Sequence, residues 1–224
     1  MAVAFDAAST GVGTSTFSWS HTPVGTPRGV IVFVVQSGAV DEITSVTHGG
    51  VSMTEADGSP LIKLTGESCV VYVYFLGSGI SGGAQTVEVV AGIGTLNKRA
   101  IAVTLTASGN TAVQDTTTIS SDALENPSGT LSLGNVSSFC CEALFSGQDA
   151  VTGITPSAGW TSRDEYQFTT LDQTAACYTY DTVGVSDVTM GWTQTSEDAV
   201  SIGIAIKDLS SALVSMMALL GVGK

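Results

Sequence analysis

Short apolar stretches recur along this chain, separated by clusters of Gly, Ser, Thr, Asn and Asp. That rhythm predicts strands joined by turns, and hence an all-β fold. Thr16 to His21 alternates strictly, with Phe17 and Trp19 on one face, and His21 to Pro27 then reads as a turn. Gly29 to Gln36 is a near-continuous Val/Ile/Phe run, the mark of a central strand buried on both faces. Ile43 to Met53 is broken at Gly49-Gly50, a hairpin signal. Further strands are expected at Cys69–Leu76, Ala84–Val90 and Arg99–Thr106. After Glu125-Asn126-Pro127-Ser128-Gly129, the pattern gives strands at Gly129–Leu133, Phe139–Ser146, Ala175–Asp181, Val188–Gln194 and Ala199–Ile206.

Helical periodicity is absent until the end of the chain. There Leu209, Leu213, Met216, Met217 and Leu220 fall on one face of a short helix, with Asp208 or Ser210 as its cap and Gly221 as its stop. Such a stripe either covers the open end of its own sandwich or inserts into a neighbouring subunit. A membrane-surface role fits it poorly, because only Lys207 and Lys224 flank it.

The two halves echo each other. Val46 to Thr54, Cys69 to Tyr72, Gln85 to Val89 and Ala100 to Val103 are answered by Ile154 to Thr161, Cys177 to Tyr180, Asp187 to Trp192 and Ser201 to Ala205. Two explanations stand: a true repeat over about 16–107 and 127–208, or the general likeness of any two runs of strands. A repeat sharing one core predicts a two-sheet β-sandwich of jelly-roll type over 1–208, with the helix over 209–224.

Charge narrows the class of partner. Asp and Glu number 20 against 7 Lys and Arg, a formal charge of −13. A nucleic-acid binder needs the opposite sign. Met1 to Asp6 lacks the basic start of a signal peptide, and Val30–Val35 is too short to span a bilayer. The four cysteines, Cys69, Cys140, Cys141 and Cys177, contain no CxxC spacing and read as small buried hydrophobes made in a reducing cytoplasm. Cys69–Cys177 is the one pairing worth checking.

Candidate chemistry is thin. A Ser/His/Asp set can be spelled from Ser20, His21 and Asp6 or Asp41, but no GxSxG elbow supports it, and His21 and His48 read as strand-end or turn residues. Asp164-Glu165 and Glu197-Asp198 are adjacent acids that point to opposite faces of a strand, so neither pair is a catalytic couple, and both read as solvated loop acids. Calcium and phosphate loops are absent from the sequence, and no metal or other cofactor is expected. Trp160 and Tyr166 are candidates for stacking on a sugar, against the alternative that they belong to the core.

In order along the chain stand Phe5-Asp6-Ala7, then Ser18-Trp19-Ser20-His21-Thr22-Pro23-Val24-Gly25, then Ile43 to Thr54 with its Gly49-Gly50. Tyr72-Val73-Tyr74, Thr86-Val87-Glu88-Val89 and Ala205-Ile206-Lys207 follow. Over residues 4–207 this order resembles a group of all-β proteins common in bacteriophage genomes and in some secreted bacterial proteins. The chain departs from their pattern at His48, where Tyr is usual, and in the C-terminal helix. The resemblance implies a β-sandwich without catalytic residues and, in the phage setting, a virion structural protein. A single compact domain of this size suits a capsid decoration (cement) protein. Such a protein binds the major capsid protein of a phage head as a trimer or dimer, with no nucleic-acid or membrane partner. A tail- or fibre-associated carbohydrate-binding module is the alternative.

Overall fold

The structure, a computed structural model, describes residues 2–92, 94–147, 153–168, 173–181 and 186–210. The first half of the chain contributes β1 (Ala4–Gly13), β2 (Phe17–His21), β3 (Gly29–Ser37), β4 (Ile43–His48), β5 (Val51–Ser52), β6 (Thr54–Glu55), β7 (Leu61–Lys63), β8 (Cys69–Leu76), β9 (Gln85–Ala91) and β10 (Lys98–Thr106). The second half contributes β11 (Thr111–Leu124), β12 (Ser128–Leu131), β13 (Ser138–Ser146), β14 (Thr155–Pro156), β15 (Thr161–Phe168), β16 (Gln173–Asp181), β17 (Val188–Thr193) and β18 (Glu197–Asp208). Every strand pairing is antiparallel.

The same strand order occurs twice. In the first half an inner sheet runs β1-β10-β3-β8-β6, with β7 also on β8, and an outer sheet runs β2-β9-β4-β5. In the second half the inner sheet runs β11-β18-β13-β16-β15 and the outer sheet β12-β17-β14. The chain crosses between inner and outer sheet at most steps, and the resulting strand order is jelly-roll topology. Each half is thus a two-sheet sandwich. The repeats begin at β1 and β11, earlier than the boundaries 16 and 127 expected from apolar patterning. The reason is compositional: β1 is built of small residues, and β11 is a Thr/Ser/Asp-rich edge strand that is mostly half-exposed or exposed.

The two sandwiches stack through their inner sheets, giving four layers. Alternation along each inner strand divides its side chains between two cores. Ile31, Phe33 and Val35 of β3 meet Phe139, Cys141, Ala143 and Phe145 of β13 and Val200, Ile202 and Ile204 of β18 in a central seam. Val30, Val32 and Val34 instead face Val46, Val87 and Val89 of their own outer sheet. Cys140 and Leu144 likewise face Leu131, Met190 and Trp192. All nine residues of β3 and of β13 are buried, which is why both strands are so rich in apolar side chains. At the β4–β5 hairpin, Gly49 and Gly50 both take positive φ, 59° and 78°, as a two-residue turn of this hand requires.

Polar contacts close the seam. Arg99 of β10 donates from Nε and Nη2 to both oxygens of Asp164 on β15, at 2.6 and 2.5 Å, and its guanidinium lies 4.8 Å from the Tyr166 ring centroid. Lys63 pairs with Asp122 of β11 and stands 3.7 Å from Asp198 of β18. Arg163 stacks over Phe5 at 3.6 Å. Asp164 and Asp198 are therefore partners of cations across the seam rather than the solvated loop acids expected. Their side chains are only 11 % and 12 % exposed.

Candidate functional site

Asp6, Ser9, Trp19, His21, His48 and Thr104 meet in one buried polar knot in the N-terminal half. His21 ends β2 and His48 ends β4, both 1 % exposed, with their rings 5.8 Å apart and edge to face. Trp19 Nε1 donates to Ser9 Oγ at 2.9 Å, which leaves the Ser9 hydroxyl hydrogen for His21 Nδ1 at 2.7 Å. His21 Nε2 then carries the proton and points it at Thr104 Oγ1, 3.4 Å away. Thr104 donates in turn to Asp6 Oδ2 at 3.1 Å. Asp6 also accepts the N–H groups of Val24 (3.1 Å) and Gly25 (2.7 Å), so it pins the turn after β2. The knot joins β1 and β10 of the inner sheet to β2 and β4 of the outer one.

Burial pushes the His21 pKa down to about 4; His48 pushes it the same way and Asp6 pulls it back. His48 is also lowered by burial, and its Nε2 has no hydrogen-bond partner. Both rings are neutral near pH 7. The spelled Ser20/His21/Asp set does not form: Ser20 is exposed, Ser9 takes its place on His21, Asp6 reaches the ring only through Thr104, and Asp41 accepts the Tyr72 hydroxyl at 3.1 Å. Room for the knot comes from glycine. A Cβ on Gly11 or Gly13 would enter the Trp19 or Phe17 ring, and those two rings lie over β1 stacked on each other with centroids 5.9 Å apart.

A second buried polar group lies in the C-terminal half and had no signal in the sequence. Glu142 on β13 is 0 % exposed and faces the outer sheet between Tyr178 on β16 and Gly203 on β18. Its Oε2 accepts the Gly191 N–H at 3.0 Å, while its Oε1, the Tyr178 hydroxyl and Ser201 Oγ have no hydrogen-bond partner. Burial pushes its pKa up to about 7, and the Gly191 N–H draws it back.

The aromatic pair weighed for sugar stacking is not a platform. Trp160 is 7 % exposed, belongs to the outer core of the C-terminal half, and donates from Nε1 to Thr189 O at 2.9 Å. Tyr166 packs against the central seam on the other face of the inner sheet, so one sugar cannot touch both rings. The four cysteines are free and buried. The closest thiols are Cys141 and Cys177, with Sγ atoms 3.7 Å apart, and the Cys69–Cys177 pairing is not formed. Of the C-terminal stripe, Leu209 is 40 % exposed and lines a groove of about 410 Å³ with Phe75, Leu76, Ala112 and Val113. Leu213, Met216, Met217 and Leu220 lie outside the described residues. Among the described residues no group of His, Cys, Asp and Glu is placed to hold a metal ion, and no helix is long and apolar enough to cross a membrane.

Fold and polar networks together define a tandem jelly-roll protein whose buried polar side chains hold its own sheets together. No protein-family model, curated protein or solved structure matches the chain.

Proposed function

We propose that this protein is a non-enzymatic virion structural protein: a capsid decoration protein that binds the major capsid protein on the outside of a phage head as a homo-oligomer. The observation that carries the reading is where the charges go. Lys63, Lys98, Arg99 and Arg163 all turn to partners within the fold: Asp122 and Asp198, Glu42, Asp164, and the Phe5 ring. Of 20 acids and 7 bases, these pairings engage four bases and four acids, so the remaining acids still far outnumber the remaining bases and leave the exterior anionic. Such a surface is repelled by nucleic acid and matches a partner of opposite charge. Four stacked β layers supply a stiff body, and a modest interface of ~1,600 Å² repeated over a shell adds up to a large stabilisation. The order of the short motifs along the chain supports the phage setting.

Quantitative mass spectrometry of purified particles tests the proposal. Hundreds of copies, in fixed ratio to the shell protein, are expected of a decoration protein. A handful of copies assigns it to the tail or a vertex, and none removes it from the particle. The carbohydrate-binding alternative loses its stacking platform with Trp160 in the core.

A further inference from the structure

Where its outer sheet meets its inner sheet the N-terminal half buries two histidines and the C-terminal half a glutamate, groups of opposite chemical type that have no ion-pair partner among the described residues. We propose that the halves answer pH in opposite senses: acid loosens the outer sheet of the N-terminal half through His21 and His48, and alkali loosens the outer sheet of the C-terminal half through Glu142.

In the N-terminal half, two imidazoles lie edge to face at 5.8 Å, so a proton on one is repelled by a proton on the other. Opposite them in register, β9 presents Gln85 to His21 and Val87 to His48, while its Glu88 is exposed. β10 presents Thr104, and β1 presents Ser9 and Asp6. Asp6 is the carboxylate nearest the pair, but its oxygens are already committed to Val24 N, Gly25 N and Thr104. A protonated His21 also loses the acceptor that Nδ1 offers Ser9, so this contact between β1 and β2 must reverse, with Ser9 Oγ accepting from both Trp19 and His21 and its own hydroxyl hydrogen displaced from the ring. The unpartnered Nε2 of His48 has nothing to receive a proton's charge.

In the C-terminal half, no cation faces Glu142. β16 presents Tyr178, whose pKa burial raises and nearby Glu165 of β15 raises further. β18 presents Ser201 and Gly203, β17 presents Met190 and Gly191, and Cys140 precedes Glu142 by two positions on its own strand. As a neutral acid the side chain fits; as a carboxylate it has one N–H and an orphaned oxygen. Wetting the group by opening the outer sheet is then favoured.

The signs follow by linkage. His21 moves from an ordinary 6.5 to about 4, so its stabilising effect is complete above pH 6.5 and is lost as pH falls toward 4. Glu142 moves from 4.5 to about 7, so its effect is complete below pH 4.5 and is lost as pH rises through 7. Each shift corresponds to a change on the order of 100-fold in the opening equilibrium across its window.

Hydrogen exchange on the full chain, expressed as protection factors, reads both halves at once. Between pH 7 and pH 4, protection should fall on the order of 100-fold in β2, β4 and β9 and rise by a similar factor in β12 and β17. Between pH 5 and pH 8, β12 and β17 should lose protection on the order of 100-fold while β2, β4 and β9 gain it up to pH 6.5 and then hold. His48→Gln should shrink the acid limb and Glu142→Gln should remove the alkaline one. Loss of protection in both outer sheets within the same pH window overturns the proposal, as does an alkaline limb that survives Glu142→Gln. Should that variant not fold, the carboxyl ¹³C resonance of Glu142 in the unaltered chain decides: a midpoint near 7 is expected, and one below about 5 overturns the C-terminal device.

Discussion

Ile202 tests whether the central seam makes one cooperative body of two jelly rolls. It is 0 % exposed, lies on β18 between Thr118 of β11 and Ala143 of β13, and belongs to the apolar cluster shared with β3, β8 and β10 of the other half. Ile202→Ala removes three carbon atoms from a site packed on both sides. Core truncations of this size cost about 2–5 kcal/mol, the lost transfer free energy plus the unfilled cavity. Relaxation is restricted because Ile202 sits mid-strand in a sheet covered on both faces, which favours the upper part of that range. In a chain of 224 residues, each 1 kcal/mol moves Tm by roughly 2–4 °C, so a drop of about 8–16 °C is expected. The assay is thermal unfolding followed by ¹⁹F NMR of fluorotryptophan-labelled protein. Trp19 reports the N-terminal half, and Trp160 and Trp192 report the C-terminal half. All three resonances should shift their midpoints together. A destabilisation below about 1 kcal/mol, or a Trp19 midpoint unmoved while the other two fall, refutes the shared seam. Ile62→Ala, at a site 38 % exposed, serves as the control and should cost less than about 1 kcal/mol.

Gly11→Ala should displace the Trp19 ring from β1 and break its bond to Ser9, costing about 1–3 kcal/mol and red-shifting the Trp19 emission; an unshifted spectrum would contradict the close packing seen there. Arg99→Lys should lose the two-pronged bond to Asp164 and destabilise by about 1–2 kcal/mol, and Arg99→Ala by about 3 kcal/mol, because Asp164 is left largely buried without its partner. A double-mutant cycle with Asp164→Ala should recover part of that loss, and strict additivity would remove the coupling. All four thiols should be silent to a water-soluble thiol reagent in the native protein and react only after unfolding, since each is buried and burial pushes Cys140 up to about 12; one fast-reacting equivalent would place a cysteine at the surface.

Legibility followed burial. β3, β8, β13 and β18 lie in sheets covered on both faces, so their positions are mostly apolar and their limits are readable to a residue or two. Outer-sheet strands such as β2 and β9 alternate, and that too is visible. β1 and β11 escaped because an edge strand needs fewer large apolar side chains: β11 runs through Asp115, Thr116, Thr117 and Thr118, and β1 gives up side chains at Gly11 and Gly13 to admit two aromatic rings. Pairing Asp164 with Arg99 and Asp198 with Lys63 depends on how the halves stack, and no local pattern encodes that. Glu142 was hidden for the same reason, since a lone acid in a Cys/Ala/Leu/Phe run carries no mark of the Gly191 N–H that receives it. The histidines were rightly read as strand-end residues, while their meeting, and the role of Ser9, required the crossing of four strands.

Stacking two jelly rolls through their inner sheets has a consequence for where chemistry can reside. An inner strand has no solvent face, so a polar residue placed on it must be satisfied within the protein or remain a liability. Glu142 stands on such a strand, and its orphaned oxygen marks a position that packing alone would have filled with a residue like Val32, which points from β3 into the outer core of the other half. The histidines occupy a milder site, at strand ends beside a turn, where most of the polar atoms find partners and only His48 Nε2 does not. Both groups are carried at the junction of an outer with an inner sheet, and neither enters the seam, whose buried contacts are apolar and whose ion pairs lie at its margin. A protein built to hold its partner while its surroundings change would gain from that division: the seam keeps the two halves together, and each outer sheet opens or closes on its own titration.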